Sequence, residues 1–252
     1  MKLESREAYK ATHSPKQIAA RLDKGPQSVY LKDFIYGAID GAVTTFAVVA
    51  GVAGAGLSSS VVIILGIANL LADGFSMAIS NYMGTRAENQ YREKAREVEL
   101  DEIRKWPKGE REEIRQIYKA KGFEGELLEQ VVDVITADED RWVDTMIQEE
   151  HGMPLDDHNA LEAGVATFAA FCLIGAIPLL TYLVNWVLGD VIQQEFLWSC
   201  VLTSIAFVAV GAAKARFLDQ SHVVSALETL GIGGVAAGLA YGVGVVLQGL
   251  AA

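Results

Sequence analysis

The chain has 252 residues, 51% of them hydrophobic, with 32 acidic against 21 basic side chains and a formal net charge of −11. That acidity excludes nucleic acid as a partner, because a phosphate backbone is met by Lys and Arg. Two cysteines, Cys172 and Cys200, exclude a disulfide framework, and both fall in apolar stretches where a buried thiol packs as a small hydrophobe.

Residues 1–33 carry seven Lys and Arg against four acids and read as a short helical or flexible arm. They contain no apolar core of the kind a signal peptide needs, so the first span is expected to act as its own insertion signal. From Phe34 to Met83 there is no Lys, Arg or His. Phe34–Gly56 and Ser60–Met83 each exceed the roughly 20 apolar residues that cross a hydrocarbon core. Each holds one charged group, Asp40 in the first and Asp73 in the second. A charge at the middle of a bilayer costs at least ~2.5 kcal/mol on insertion scales, so such an acid faces a partner, a cavity or an ion. Asn69, Asp73 and Met77 stand at i, i+4 and i+8 on one stripe that Asn81 extends, and Gly37, Asp40, Gly41 and Thr44 form a matching face on the first span. Two such stripes on adjacent antiparallel helices could line one path. For Met77 alone, ordinary core packing is the competing reading.

The interval 84–158 holds 21 acids against 12 Lys and Arg, a local charge of −9. Met83–Trp106 is rich in Glu, Arg, Lys and Ala and should continue the second span as a charged helix. Pro107-Lys108-Gly109 should break it, with further helices over Glu110–Lys121, Glu124–Thr136 and Asp138–His151. Glu99 and Glu102 lie three apart near the end of one helix, and Glu110 and Glu113 three apart at the start of the next. Each pair shares a helix face, so the turn between them could fold four carboxylates together. Met146 and Glu150, four apart, could add a thioether and a fifth carboxylate. Oxygen ligands suit divalent cations in general, and a thioether favours softer transition metals over Mg²⁺ and Ca²⁺. The competing reading is a solvated, charge-laced helix face, since Glu is an ordinary helix former.

Three more apolar blocks follow, Ala163–Trp186, Phe196–Ala213 and Leu230–Leu250. Lys and Arg flank the first, second and fourth spans on one side, and the opposite loops carry none. The positive-inside rule therefore puts the N-terminus and the interval 84–158 in the cytoplasm and the C-terminus across the membrane. The expected fold is an all-α polytopic membrane protein. Residues 1–33 form a cytoplasmic arm, 34–83 transmembrane helices one and two, 84–158 a cytoplasmic acidic helical metal-binding domain, and 159–252 transmembrane helices three to five.

The segments DFIYGAIDGAVTTFAVVAGVAGA, GIANLLADGFSMAISNYMGTRAE, WVDTMIQEEHGM, GAIPLLTY and SALETLGIGG, in this order around the Glu-rich interval, resemble the vacuolar iron transporter family over nearly the whole chain. The resemblance implies a homodimer that exports Fe²⁺, and also Mn²⁺, from the cytosol in exchange for protons, with Co²⁺ and Zn²⁺ as further candidate ions and no prosthetic group. It assigns Asp40 and Met77, with Asn69 and Asp73 nearby, to the translocation path. It assigns Glu99, Glu102, Glu110, Glu113, Met146 and Glu150 to a cytoplasmic metal site. Relatives commonly carry Glu where this chain has Asn69, and many have a second Met where it has Ile147. The protein is expected in the cell (inner) membrane of a prokaryote or the vacuolar membrane of a eukaryote, with lipid and metal ions as its partners. Two other classes stay open. A membrane-anchored, ferroxidase-like di-metal carboxylate enzyme would use the glutamates, although the Glu-x-x-His pattern of such sites is missing from both pairs. A channel for Mg²⁺ or another cation would move no protons.

Overall fold

The computed structural model of the protein describes residues 13–23, 30–156, 158–218 and 220–250. The described chain is all helical: α1 (Pro15–Asp23), α2 (Leu31–Gly54), α3 (Ser59–Lys105), α4 (Pro107–Ala120), α5 (Gly125–Thr136), α6 (Glu139–Glu149), α7 (Ala160–Gly175), α8 (Leu180–Leu188), α9 (Glu195–Leu218) and α10 (His222–Leu247). Short 3₁₀ turns at Ile177–Leu179 and Gln248–Leu250 complete it. Of the arm expected over residues 1–33, α1 and the start of α2 are described and most of the remainder lies outside the described residues, as do Ala251 and Ala252. Five helical segments are long and apolar enough to cross a membrane, Leu31–Gly54, Ser59–Lys105, Ala160–Leu188, Glu195–Arg216 and His222–Leu247. Two compact units divide the chain, one formed by residues 1–82 with 160–252 and the other by 83–159.

In the first unit α2 lies against α7 on one side and α10 on the other. Small residues allow this approach. A Cβ on Gly175 of α7 would come within 2.8 Å of the Gly41 carbonyl oxygen, and side chains on Gly37 or Gly41 would overlap the backbone of Thr167 or Phe171. On the other side, Gly54 meets the backbone at Tyr241, and Gly244 that at Gly51. Lipid tails are as apolar as Leu, so burial alone does not drive spans together, and close backbone contact between small residues supplies much of the association. Phe46 and Phe207, 6.5 Å apart and edge to face, fill the space between α2 and α9. Three buried hydroxyls return to their own helices: Thr167 Oγ1 donates to Ala163 O (3.0 Å), Thr203 to Ser199 O (2.7 Å) and Thr229 to Ser225 O (2.9 Å). These bonds satisfy polar groups without water, as a hydrocarbon setting requires.

The third span is not the single helix expected over Ala163–Trp186. It breaks after Gly175 into the 3₁₀ turn and resumes as α8, because Pro178 cannot donate to a continuous helical ladder. The carbonyl of Pro178 accepts from Ser199 Oγ at 2.6 Å. The fifth span starts at His222, eight residues before the expected Leu230. Beyond α8, Asn185 Nδ2 donates to Glu195 Oε1 (2.6 Å) and Thr181 Oγ1 to Glu195 O (3.0 Å), while Ser59 Oγ bonds the other carboxylate oxygen. Glu195, the first residue of α9, thus ties the start of α3 to α8. Cys172 and Cys200 are free thiols, partly buried.

The second unit is built from the end of α3 with α4, α5 and α6 around Ile103, Ile114, Leu128, Val132, Ile135, Trp142, Val143, Met146 and Ile147. Its break falls at Trp106 and not across Pro107-Lys108-Gly109. Pro107 is the first residue of α4, where its missing N–H costs nothing and its φ suits the helix. Asp138 caps α6 by accepting from Arg141 N at 2.8 Å.

Gly175→Leu is expected to disrupt the α2–α7 contact by at least the ~1–3 kcal/mol of ordinary overpacking. Gly238→Leu, where nothing lies within 4 Å, should be tolerated. Thermal unfolding and size-exclusion profiles of the two variants in one detergent check this.

Candidate functional site

The acids of the second unit fall into two groups. Arg96 pairs with Asp140 (3.0 Å) and Asp144, Arg104 with Glu139 (3.0 Å), Arg111 with Asp133, and Arg115 with Glu129 (2.7 Å). Lys105 takes Asp101 (2.7 Å), and Lys121 takes Glu149. Among the described residues, no Lys or Arg pairs with Glu99, Glu102, Glu110, Glu113 or Glu150. The corner at Trp106 joins the Glu99/Glu102 face of α3 to the Glu110/Glu113 face of α4. Donor oxygens of Glu99, Glu102 and Glu110 lie within 4.8 Å of one another. Glu99 and Glu110 are buried, at 2% and 5% exposure, and each has a carboxylate oxygen with no hydrogen-bond partner. A buried, unpartnered carboxylate oxygen is costly unless something cationic meets it, so this donor set fits a metal ion.

The electrostatics carry the same mark. Burial, with repulsion from Glu113, Glu99, Glu102 and Glu150 added, pushes the Glu110 carboxyl up to about 7. Burial also raises Glu113, which Glu150, Glu99 and Glu102 repel. Glu99 is raised by burial too, against the pull of a hydrogen bond with His151. Glu99, Glu110 and Glu113 therefore each stand in the field of neighbouring carboxylates. Met146 is placed differently: it is fully buried in the apolar core of the unit beside Ile147, one turn before Glu150 on α6.

In the first unit α2 and α3 run antiparallel and set polar groups opposite one another. Asn69 Nδ2 donates to Thr44 Oγ1 at 3.3 Å, and Thr44 Oγ1 donates to Asp40 O at 2.9 Å. Asp40 and Asp73 are close enough for their charges to repel. Asn81 Nδ2 donates to Asp33 Oδ1 (2.8 Å) and Thr167 Oγ1 (2.7 Å). Met77 is partly buried and packs against the main apolar cluster. Thr44 and Asp40 of the stripe predicted on α2 thus face Asn69 and Asp73 on α3, while Gly37 and Gly41 turn to α7 and Asp73 is exposed on the surface of the unit.

Two residues escaped the sequence reading. Asp33 was legible in principle, since the register that sets Asp40 opposite Asp73 leads along the two helices to Asp33 opposite Asn81. His151 follows Glu150 directly, yet its contact with Glu99 crosses between helices distant in sequence, which no local spacing reveals.

Five membrane-crossing segments with facing carboxylates, and a second helical unit that gathers glutamates without Lys or Arg partners, define a multi-pass membrane protein organised around acidic sites. The model of the VIT family matches residues 31–245, and the chain belongs to that family. Among its relatives, the vacuolar iron transporter of Toxoplasma gondii is 36% identical over 228 residues, covering 88% of this chain and 75% of the relative. Vacuolar iron transporter 1 of Eucalyptus grandis is 33% identical over 221 residues, and that of Arabidopsis thaliana 32% over 219, each covering 86% of both chains. These relatives bear the names of transporters and not of enzymes.

A glutamate whose folded pKa stands above its ordinary value holds more protons folded than unfolded between the two, so stability falls as pH rises through that window. The metal-free protein should therefore melt at a higher temperature at pH 5.5 than at pH 8, given Glu110 at about 7. Glu110→Gln should flatten the dependence and raise the melting temperature at pH 8. Saturating Mn²⁺ should oppose the trend, since metal takes the deprotonated ligand. Tryptophan-fluorescence melts across that pH range read all three.

Proposed function

We propose that this protein moves Fe²⁺, and Mn²⁺ with it, out of the cytosol in exchange for protons. The observation that carries the metal assignment is the set of five glutamates without Lys or Arg partners, two of them buried with an orphaned oxygen. The names of its relatives supply iron as the cargo. In this scheme residues 83–159 face the cytoplasm, and Glu99, Glu102, Glu110, Glu113, Met146 and Glu150 gather the ion, the thioether requiring the Met146 side chain to turn from the core. Asp40 then ligates it within the membrane, with Asp73, Asn69 and Met77 beside it. Metal and proton compete for the same carboxylates, and that competition couples their movements.

Asp73 is exposed on the isolated unit although it lies in a membrane-crossing helix. A carboxylate does not face lipid at that depth without a large cost, so a second copy of the chain is proposed to cover it as a homodimer. Asp73 also stands one turn from Asn69, the position at which the family resemblance leads one to expect Glu. The acid is proposed to have moved along the helix by about 6 Å without leaving its face.

The deciding experiment is uptake of Fe²⁺, Mn²⁺, Co²⁺, Zn²⁺ and Mg²⁺ into proteoliposomes, with and without a pH gradient. A channel would pass the ion with no proton counterflow. Asp40→Asn should fold and lose transport by at least about tenfold, because the amide keeps the size and removes both charge and titratable proton. Glu102→Ala with Glu113→Ala should raise the metal concentration for half-maximal uptake by roughly 10–100-fold while sparing the maximal rate. Asp73→Asn should lose transport, and Asn69→Glu with Asp73→Gly should recover it. Unaltered transport by Asp73→Asn would remove that residue from the path.

A further inference from the structure

Among the described side chains in contact with the glutamate cluster, the imidazole of His151 has no part in the transport scheme. Its Nε2 lies 2.8 Å from Glu99 Oε1. Glu99, Glu150 and His151 bring one donor atom each within 4.8 Å of one another, a grouping that shares only Glu99 with the Glu99, Glu102 and Glu110 set. Two donors each about 2.1 Å from a metal and at right angles to one another stand ~3.0 Å apart, so the imidazole and the carboxylate already have the spacing of neighbouring ligands. The other oxygen of Glu99 is buried and unpartnered, which leaves that residue further capacity to coordinate.

The local backbone holds His151 in place. The amides of Glu150 and His151 both donate to Met146 O, at 2.9 and 3.3 Å. Gly152, at φ 65°, then turns the chain out of the helix, and Met153 N donates back to Ile147 O at 3.0 Å. Met153 packs against the core of the unit, so the imidazole stands on an anchored turn. It also lies at the C-terminal end of α6, where the helix dipole favours positive charge.

We propose that His151 is a nitrogen ligand for the ion gathered by the glutamate cluster, sharing it with Glu99 and Glu150, and that this imidazole biases the site toward transition-metal ions over Mg²⁺ and Ca²⁺. The inference rests on the reading of the cluster as a metal site. Carboxylates alone form a hard-oxygen set that Mg²⁺ and Ca²⁺ also accept, whereas imidazole suits iron, zinc and their neighbours. Ile147 is buried in the core and offers no thioether, so His151 supplies a borderline donor at this end of α6.

Electron spin-echo envelope modulation of Mn²⁺ bound to the full-length protein in detergent tests the assignment, because directly coordinated ¹⁴N modulates the echo. Modulation is expected in the wild type, altered by ¹⁵N-histidine labelling and lost in His151→Gln. It should persist in a variant with His13, His158 and His222 all changed to Gln, which keeps the test decisive if His151→Gln does not fold. Co²⁺ and Zn²⁺ affinity should fall by roughly tenfold or more in His151→Gln, with Mg²⁺ affinity changed less than about twofold. Mn²⁺ bound without nitrogen modulation, modulation lost in the triple variant, or an equal loss for Mg²⁺ would overturn the proposal and leave the glutamate site standing. Absence of Mn²⁺ binding altogether, in the wild type as in Glu102→Ala with Glu113→Ala, would overturn the metal site itself.

Discussion

The second unit is organised by a repulsion it does not relieve. Five glutamates are drawn together by the bend at Trp106 and by the packing of α6, and the ion pairs of Arg96, Arg104, Arg111, Arg115 and Lys121 all go to other acids. Such an arrangement persists only because the apolar core around Ile114, Val132, Val143 and Ile147 holds the helices regardless of charge. The separation of labour is visible in exposure. The core residues Ile114 and Val143 are fully buried, while the paired Arg104 and Lys105 lie on the surface, where their ion pairs contribute little to stability.

The membrane unit solves the opposite problem, joining apolar helices where apolarity gives no preference. Glycine and alanine faces on α2, α7 and α10 allow backbones to touch, and the hydroxyls between them bond inward. α2 is therefore the most enclosed of the spans, and it carries Asp40. The partner stripe on α3 belongs to a helix with far less of its surface covered.

Much of this was legible in the sequence. The five spans follow from apolar length, the charged continuation of the second from the lack of Pro and Gly after Gly84, and the convergence of the Glu99/Glu102 and Glu110/Glu113 faces from i, i+3 spacing on either side of a turn. What escaped depended on contacts remote in the chain or on the dual role of a residue type. Proline signals a break, yet Pro107 begins a helix while Pro178 interrupts one, and only the fate of the neighbouring carbonyls tells them apart. Met146 lies on the same helix face as Glu150, but that face also lines the core, and a thioether serves packing as readily as ligation. His151 reaches Glu99 across an interval of 52 residues.

The fifty residues from Phe34 to Met83 contain two carboxylates and no basic side chain of any kind. Asp40 and Asp73 lie close enough there to repel when both are ionised, and the helical hairpin holds no basic side chain to cancel them. A divalent cation would bring that pair to neutrality, and a monovalent one would leave it half compensated in a medium that penalises any residue of charge. On the proposed path, valence would then be sorted by electroneutrality before ligand identity enters, leaving the choice among divalent ions to the softer donors.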